Sequence, residues 1–254
     1  MKKVSFSLFL LSVVAILLAL YYPERRPLRV EGGNIRVVAM HKDSGAVEVR
    51  ALLKKGEAMI DSIKRPVIGE AAVDLCKFQP ESPLMNFAAD ALKEMAQRYS
   101  SDVVDVAITN KGGLRSNISQ GVVTFGDIYN VFPFENTLAL LYLNGGQLLQ
   151  LCAEIASVGG EAISGMRLEI SPDGGLVSVM VGGAPVDPAK TYLVATSDYL
   201  SQGNDKMTAL SLATECTVLG NVTIRDLMVH YVKEVAERGE KLYAVCDGRI
   251  TVMK

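Results

Sequence analysis

The stretch 137-TLALLYLNGGQLLQLCAEIASVGG-160 places a strand directly before a helix, and this order decides the fold class. Its first half, residues 137–143, is a largely apolar run, which predicts a buried strand. Asn144 and the two glycines after it turn the chain into a helix that runs through Ile155. The glycine pair at 159–160 predicts the end of that helix.

The rest of the chain mixes helices and hairpins without a regular alternation. The runs 167–170 and 176–181 flank a Ser-Pro-Asp-Gly-Gly turn, which predicts a β-hairpin. Ser82 followed by Pro83 predicts a helix start, and Thr223 three residues before Asp226 predicts another, for a last helix that reaches about Arg238 and is closed by Gly239. The other predicted elements are an amphipathic helix over 44–63, strands over 67–73, 103–109, 192–196 and 249–253, and a short helix near Phe125. This mixture favours an α+β fold, a single layered domain of mixed helices and sheets.

Composition and charge exclude several classes of function. The chain has 254 residues, 49% of them hydrophobic, and a net charge of −2. Without a broad basic field, nucleic-acid binding is not expected. The four cysteines, Cys76, Cys152, Cys216 and Cys246, form no CxxC pair, so no zinc site is predicted. Cys152 falls on the apolar face of its helix and is expected in the core; a disulfide elsewhere is left open.

The first residues differ from the rest of the chain. Lys2 and Lys3 precede an uncharged run from Val4 to Leu20, and two tyrosines, Pro23 and an arginine pair follow it. A basic start and an apolar core are typical of an export signal or of a membrane anchor over residues 4–22. A cleaved signal, an uncleaved anchor and a buried N-terminal helix remain open. Either export reading predicts a periplasmic or cell-envelope protein.

A polar stretch between two predicted strands is the first candidate for a binding site. The turn 110-NKGGLR-115 follows a predicted strand, and its glycines allow close approach and positive φ. Arg115 supplies a permanent planar cation, which suits a phosphate or vicinal hydroxyls. Phe134 follows Pro133 and could be presented from a loop, although packing in the core is the commoner fate of a phenylalanine.

A second polar loop, 196-TSDYLSQGNDKM-207, carries complementary groups. Tyr199 is a second ring, and two rings can sandwich a planar base. Asp205 can accept hydrogen bonds from ribose hydroxyls. The alternative for Asp205 is a turn-forming role beside Asn204.

Six spaced motifs together resemble the C-terminal domain of the 5′-nucleotidases, a family that includes periplasmic UDP-sugar hydrolases and ecto-5′-nucleotidases. They cover roughly residues 65–253 in the family's order, and each alone is weak. The motifs are 81-ESPLMNFAADAL-92, 110-NKGGLR-115, 121-GVVT-124, 133-PFEN-136, 143-LNGGQL-148 and 192-YLVATSDYLSQGND-205.

The resemblance implies that this domain binds the nucleoside part of a nucleotide. Phe134 and Tyr199 would stack on the two faces of the base, and Asp205 would hold ribose hydroxyls. The remaining substrate-binding residues would be Asn110, Gly112, Gly113, Arg115 and Asn136. The motif residues Glu81 and Asn86 would be structural and fix the first helix of the domain.

The sequence departs from the family's pattern in three places. The loop 203-GNDKM-207 stands where Gly-Gly-Asp-Gly-aromatic is usual, and because lysine adopts a left-handed backbone poorly, a changed loop shape is expected. Tyr199 replaces a phenylalanine. An arginine that some members carry upstream of Glu81 is missing, and Lys77 and Phe78 occupy that region.

The resemblance also implies where hydrolysis would occur. In the family, a metallophosphoesterase domain holds two metal ions with D-x-H and G-N-H motifs, and neither motif occurs here. The sequence has two histidines, His41 and His230, the second expected at an interface or in the core. No catalytic or metal-binding residue and no cofactor is therefore predicted in this chain.

We expect three segments: a signal or anchor over 1–27, a lead-in and linker helix over 28–64, and a 5′-nucleotidase C-terminal-like domain over 65–254. The leading hypothesis is the nucleotide-recognition subunit of a split phosphohydrolase, with a separate metallophosphoesterase as partner and a nucleoside 5′-phosphate as ligand. The alternatives are a non-catalytic envelope binding module and a scaffold with a decayed site.

Overall fold

The computed structural model describes residues 44–253, and the fold is the predicted mixed α and β type. Backbone contacts divide the chain into Met1–Val49 and Arg50–Lys254, and every element after residue 64 belongs to the second unit. The expected anchor over residues 4–22 and His41 lie outside the described residues. Between residues 44 and 253, no helix has the length and apolar character needed to span a membrane.

Helices and strands follow one another irregularly along the chain. The helices are α1 (Ser44–Lys64), α2 (Pro83–Ala96), α3 (Phe125–Val131), α4 (Gly145–Ser157), α5 (Asp198–Ser201) and α6 (Ile224–Glu237). The strands are β1 (Val67–Ala71), β2 (Val106–Thr109), β3 (Gly121–Thr124), β4 (Thr137–Asn144), β5 (Ala162–Ser164), β6 (Met166–Ile170), β7 (Leu176–Val181), β8 (Ala184–Pro185), β9 (Thr191–Ser197), β10 (Glu215–Thr223) and β11 (Ile250–Val252).

A five-stranded sheet of order β10-β4-β9-β2-β5 forms the centre of the domain. β4 and β9 pair antiparallel over their whole length, whereas β2 runs parallel to β9. The parallel pair brings the carboxyl ends of β2 and β9 to the same edge of the sheet. The two polar segments of the predicted site follow these two strand ends, so the topology places both at one edge.

The central sheet separates two apolar cores, because alternate side chains on a strand point to opposite faces. On β9, Leu193 and Ala195 belong to the core formed with α2 and α6, whereas Tyr192 and Val194 belong to the core formed with α4. Cys152 lies fully buried in the second core, as predicted. All four cysteines are free thiols.

The predicted helix starts are confirmed, and each rests on a local side-chain cap. The Ser82 hydroxyl accepts from the amide of Met85 at the start of α2. At the start of α4, the side chains of Asn144 and Gln147 each accept from the other residue's backbone amide. Such reciprocal caps satisfy amides that a helix otherwise leaves without partners.

Several elements differ from the sequence prediction. The strand expected from 103 begins at Val106, and β3, β5, β8 and β10 were not predicted. β10 has a mostly exposed edge position and no clear apolar alternation, so its pairing with β4 is a tertiary effect. His230 is exposed on α6, which excludes the core position and leaves the interface expectation.

Candidate functional site

All eight residues predicted to bind substrate line one open cleft. Its volume is about 390 Å³, within the range of roughly 300–1,000 Å³ that small-molecule pockets occupy. The lining residues are Asn110, Gly112, Gly113, Arg115, Phe134, Asn136, Tyr199 and Asp205. The structure therefore brings together segments that are far apart in the sequence.

The glycine turn after β2 forms one wall of the cleft. Lys111–Gly113 is a single 3-10 turn, and the amide of Gly113 donates to the carbonyl of Asn110 at 3.0 Å. Neither Gly112 nor Gly113 adopts the positive φ that glycine allows. Gly113 is instead needed for close packing, because a Cβ at this position would lie 2.7 Å from Oδ1 of Asn110.

An ion pair between Lys111 and the buried Glu161 supports the glycine turn. The backbone amide of Lys111 donates to Glu161, and its ammonium reaches the same carboxylate at 3.0 Å. Glu161 is only 5% exposed, and this burial raises the pKa of its carboxyl, although the bonds from Lys111 oppose the shift. Lys77 donates from the other side to the carbonyls of Lys111 and Leu114.

The sequence analysis did not predict these contacts of the glycine turn. Lys111 lies inside the quoted turn but reads as an ordinary solvated lysine, and Glu161 follows a glycine pair without any motif. Their link is visible only when the chain is folded, because Glu161 starts the edge-strand region that pairs with β2. Lys77 stands near the place of the missing arginine, and in the structure its ammonium binds the turn.

The two predicted rings are exposed at the cleft and are not packed in the core. Phe134 is 48% exposed and Tyr199 is 39% exposed, which excludes the commoner reading of Phe134 as a core residue. Both line the same cavity. Among the aromatic contacts of residues 44–253, none joins these two rings, so neither ring covers the face of the other.

Asp205 connects the two walls of the cleft. Its Oδ2 accepts from the side-chain amide of Asn110, and its Oδ1 accepts from the hydroxyl of Tyr199 at 3.0 Å. The bond to the carboxylate raises the pKa of the Tyr199 hydroxyl. The glycine turn and the second polar loop are thus joined before any ligand enters.

The altered loop 203–207 has a left-handed backbone at three positions, and two of these are not glycine. The φ angles are +82° at Gly203, +53° at Asp205 and +65° at Lys206. The side chain of Asn204 donates to the carbonyl of Tyr199 at 2.8 Å, and this bond fixes the loop against α5. Lys206 therefore adopts the left-handed conformation, although lysine adopts it poorly.

Residues 67–212 match the family model of the 5′-nucleotidase C-terminal domain. The chain belongs to this family. The solved structure of a 5′-nucleotidase precursor from Thermus thermophilus is similar, with a TM-score of 0.70 and 28% identity over 82% of this chain and 43% of that chain.

Two curated relatives show how the chain compares in length with other members. Endonuclease YhcR of Bacillus subtilis is 30% identical over 216 residues, which are 82% of this chain and 17% of that protein. Cell wall protein Lmo0130 of Listeria monocytogenes is 25% identical over 80% of this chain and 29% of that protein. The chain thus spans less than a third of either relative.

In this 5′-nucleotidase C-terminal domain, Arg225 holds the segment between α3 and β4 that carries the ring of Phe134. Arg225 on α6 donates to the carbonyls of Phe132 and Pro133 at 3.3 Å and pairs with Glu135. Its guanidinium also lies 4.7 Å from the ring centre of Tyr129. Arg225 is nearly buried and has no sequence signal, so it was not predicted.

Arg115 and Asn136 present polar groups to the cleft of this domain. The guanidinium of Arg115 is exposed and donates to the carbonyl of Gly112 at 3.3 Å; no carboxylate in the described part of the chain pairs with it. The backbone carbonyl of Asn136 accepts from Ile224, which orients the residue. A cation and an amide are therefore available at the cleft.

Glu81 and Asn86 have the structural role that was expected of this family motif. Both are buried, and the Asn86 amide donates to Glu81 at 2.6 Å and to the carbonyl of Val245 at 2.8 Å. Glu81 also accepts from the backbone amides of Asp247 and Gly248. This pair ties α2 to the C-terminal segment.

Over residues 44–253, no three His, Cys, Asp or Glu side chains are grouped so that they could hold a metal ion. The cleft itself offers one carboxylate, one guanidinium, two amides and two rings. Such a set can bind an anionic ligand with a planar ring but does not resemble a two-metal hydrolytic centre.

Proposed function

We propose that the cleft binds nucleoside 5′-phosphates or related nucleotides as the recognition part of a 5′-nucleotidase-type phosphohydrolase. One observation carries this proposal: two exposed rings, a cation without a carboxylate partner among the described residues and a carboxylate line a single cavity. A planar base, a phosphate and a ribose require these three kinds of group.

Each side chain has a role that its geometry supports. Phe134 and Tyr199 stack on the base, a contact worth about 1–3 kcal/mol per ring. Asp205 accepts from ribose hydroxyls through the lone pairs that Asn110 and Tyr199 leave free. Arg115 binds the phosphate, and the amides of Asn110 and Asn136 contact the base edge beside the glycine turn.

Hydrolysis in this proposal is performed by a separate metallophosphoesterase. That partner supplies divalent metals, which polarise the phosphate and generate a hydroxide nucleophile. The donor set of the cleft supports the division, because its groups bind and orient a nucleotide without activating water. The exposed ring of Phe134 and the Arg115 guanidinium, which has no carboxylate partner among the described residues, favour binding over a scaffold with a decayed site.

We also propose export to the cell envelope, with residues 4–22 as an inner-membrane anchor and residues 28–64 as the linker to the domain. The apolar run with basic residues before it supports this placement. The similarity to a protein named as a cell wall protein is in keeping with it. A non-catalytic envelope module that binds nucleosides remains the alternative function.

Calorimetric titration of the full chain in detergent, with EDTA present, tests the function. We expect adenosine and AMP to bind, Phe134→Ala to weaken both about tenfold or more, and Arg115→Ala to weaken AMP alone. Phe78→Ala is the matched control, because Phe78 is an exposed ring outside the cleft. Absence of binding to the wild type, or equal loss with Phe78→Ala, contradicts the proposal.

A phosphate-release assay separates the two candidate functions. With a metallophosphoesterase from the same cell and Mn²⁺, the recognition-subunit proposal expects phosphate release from AMP that falls with Phe134→Ala in this chain. A binding module expects nucleotide binding with a release rate that does not depend on this chain.

A further inference from the structure

The loop after α5 contains two residues with an unusual backbone conformation. Asp205 and Lys206 are the two non-glycine residues with positive φ between residues 44 and 253. Aspartate is found in this region more often than most residues, and the carboxylate of Asp205 is held in place by Asn110 and Tyr199. Lysine has no such compensation, so Lys206 costs conformational free energy that a glycine would not.

The neighbouring contacts hold Lys206 in this conformation. On one side, Asp205 is bonded to Asn110 and Tyr199; on the other, Met207 is buried and its amide donates to the carbonyl of Asn204 at 3.1 Å. The strain is therefore imposed by the loop and is not relieved by the lysine side chain. Strained residues that a surrounding structure maintains are concentrated at functional sites.

The cations near the cleft divide into two kinds. Lys77 donates to two carbonyls of the glycine turn, and Lys111 is paired with buried Glu161, so neither ammonium is available to a ligand. Arg115 lacks a carboxylate partner within the described residues. Lys206 is exposed, and no ion pair or side-chain hydrogen bond to it is formed by residues 44–253.

Arg115 lines the cleft, and Lys206 directly follows a residue that lines it. Arg115 donates to the carbonyl of Gly112, and a Cβ on Gly112 would lie 3.8 Å from Oδ2 of Asp205. Lys206 is the next residue after Asp205. The glycine turn that carries Arg115 and the loop that carries Lys206 are therefore in contact through Asp205, and the backbone of Lys206 begins one residue from the cleft lining.

We propose that Lys206 is a second phosphate-binding residue of the cleft and determines its preference for nucleotides over nucleosides. A phosphate monoester carries between one and two negative charges near neutral pH, more than Arg115 alone neutralises. An ammonium on a flexible stem provides the second charge without a fixed geometry. This assignment rests on the proposed function of the cleft.

Four variants of the full chain test the assignment by calorimetry with AMP and with adenosine. Lys206→Gln removes the charge, Lys206→Arg keeps it, and Lys206→Gly removes both charge and strain. Lys233→Gln, at an exposed position of α6, is the control. We expect roughly five-fold weaker AMP binding in the Gln and Gly variants, with adenosine binding unchanged. The Arg variant and the Lys233 control should bind AMP as the wild type does.

Thermal melting should change in the opposite direction to AMP binding in one of these variants. Lys206→Gly should melt at a higher temperature than the wild type, because glycine removes the strain, while its AMP binding falls. Unchanged AMP affinity in Lys206→Gln overturns the assignment, as does an equal loss for adenosine. If the wild type binds neither adenosine nor AMP, the proposed function itself fails, and the role of Lys206 fails with it.

Discussion

Gly113 and Asn110 show how closely the glycine turn is packed at the level of single residues. The Asn110 side chain occupies the space where a Cβ on Gly113 would stand, and the same side chain holds Asp205. Gly112, its neighbour, has room: a Cβ there would meet Asn110 at 3.6 Å, an ordinary contact. Two adjacent glycines thus serve different purposes.

Gly113→Ala should destabilise the domain and weaken nucleotide binding. We expect a loss of about 1–3 kcal/mol in the free energy of unfolding, because the added methyl group displaces Asn110. Urea unfolding and titration with AMP measure the two effects. Gly112→Ala is the control and should change stability by less than about 1 kcal/mol; equal effects of the two substitutions would contradict the packing argument.

The buried carboxyl of Glu161 makes the stability of the domain depend on pH. Burial raises its carboxyl pKa above the ordinary value of 4.5, so the folded state binds this proton more tightly than the unfolded chain. The resulting stability is present below pH 4.5 and is lost as pH rises through the raised pKa.

Urea unfolding of the wild type and Glu161→Gln between pH 4 and 7 checks this sign. The wild type should lose stability relative to the variant as pH rises above the ordinary carboxyl value, since glutamine does not titrate. A difference between the two curves that stays constant over this interval is the contrary outcome.

At the scale of elements, the C-terminal segment is attached to α2 by a few buried polar contacts. Glu81 accepts from Asn86 and from two backbone amides of residues 247 and 248, while Arg249 grips Asp90 with two parallel bonds of 2.8 and 2.9 Å. These contacts bring β11 beside β6, its parallel neighbour.

Glu81→Ala should loosen this attachment. The substitution removes one acceptor from the buried amide of Asn86 and the acceptor of the partly buried backbone amides of Asp247 and Gly248, and a donor left buried without an acceptor costs about 1–3 kcal/mol. We expect a lower urea midpoint and faster proteolysis near residues 245–248. Glu81→Gln, which keeps an acceptor oxygen, should fall between the wild type and the alanine variant; a wild-type midpoint for Glu81→Ala would refute the attachment.

Elements with local signals were predictable from the sequence, whereas those fixed by distant partners were not. The starts of α2 and α4 follow from side chains that cap their own helix, so a short window contains the cause. β10 is different, because its residues are mostly exposed and its strand form depends on β4, more than seventy positions earlier. No pattern within β10 could reveal that pairing.

For the molecule as a whole, the cleft residues were predictable through resemblance, and their supports were not. Spacing alone gave no reason to join Asn110 to Asp205, but the motif set implied that both face one ligand, and one cavity contains them. Glu161, Lys77 and Arg225 lie outside the motifs' functional positions. Their importance comes from burial and from bonds across the fold, which a linear pattern does not carry.

The hydrogen bonds of Asp205 have a consequence for how this domain can change over generations. Asn110, Tyr199 and Asp205 bond to one another in the absence of a ligand, so selection for folding also favours their retention. Phe134 and Arg115 contribute little to that network and expose a ring and a charge to solvent. In a lineage that lost its ligand, these two residues would drift first, and their persistence is the better record of continued use.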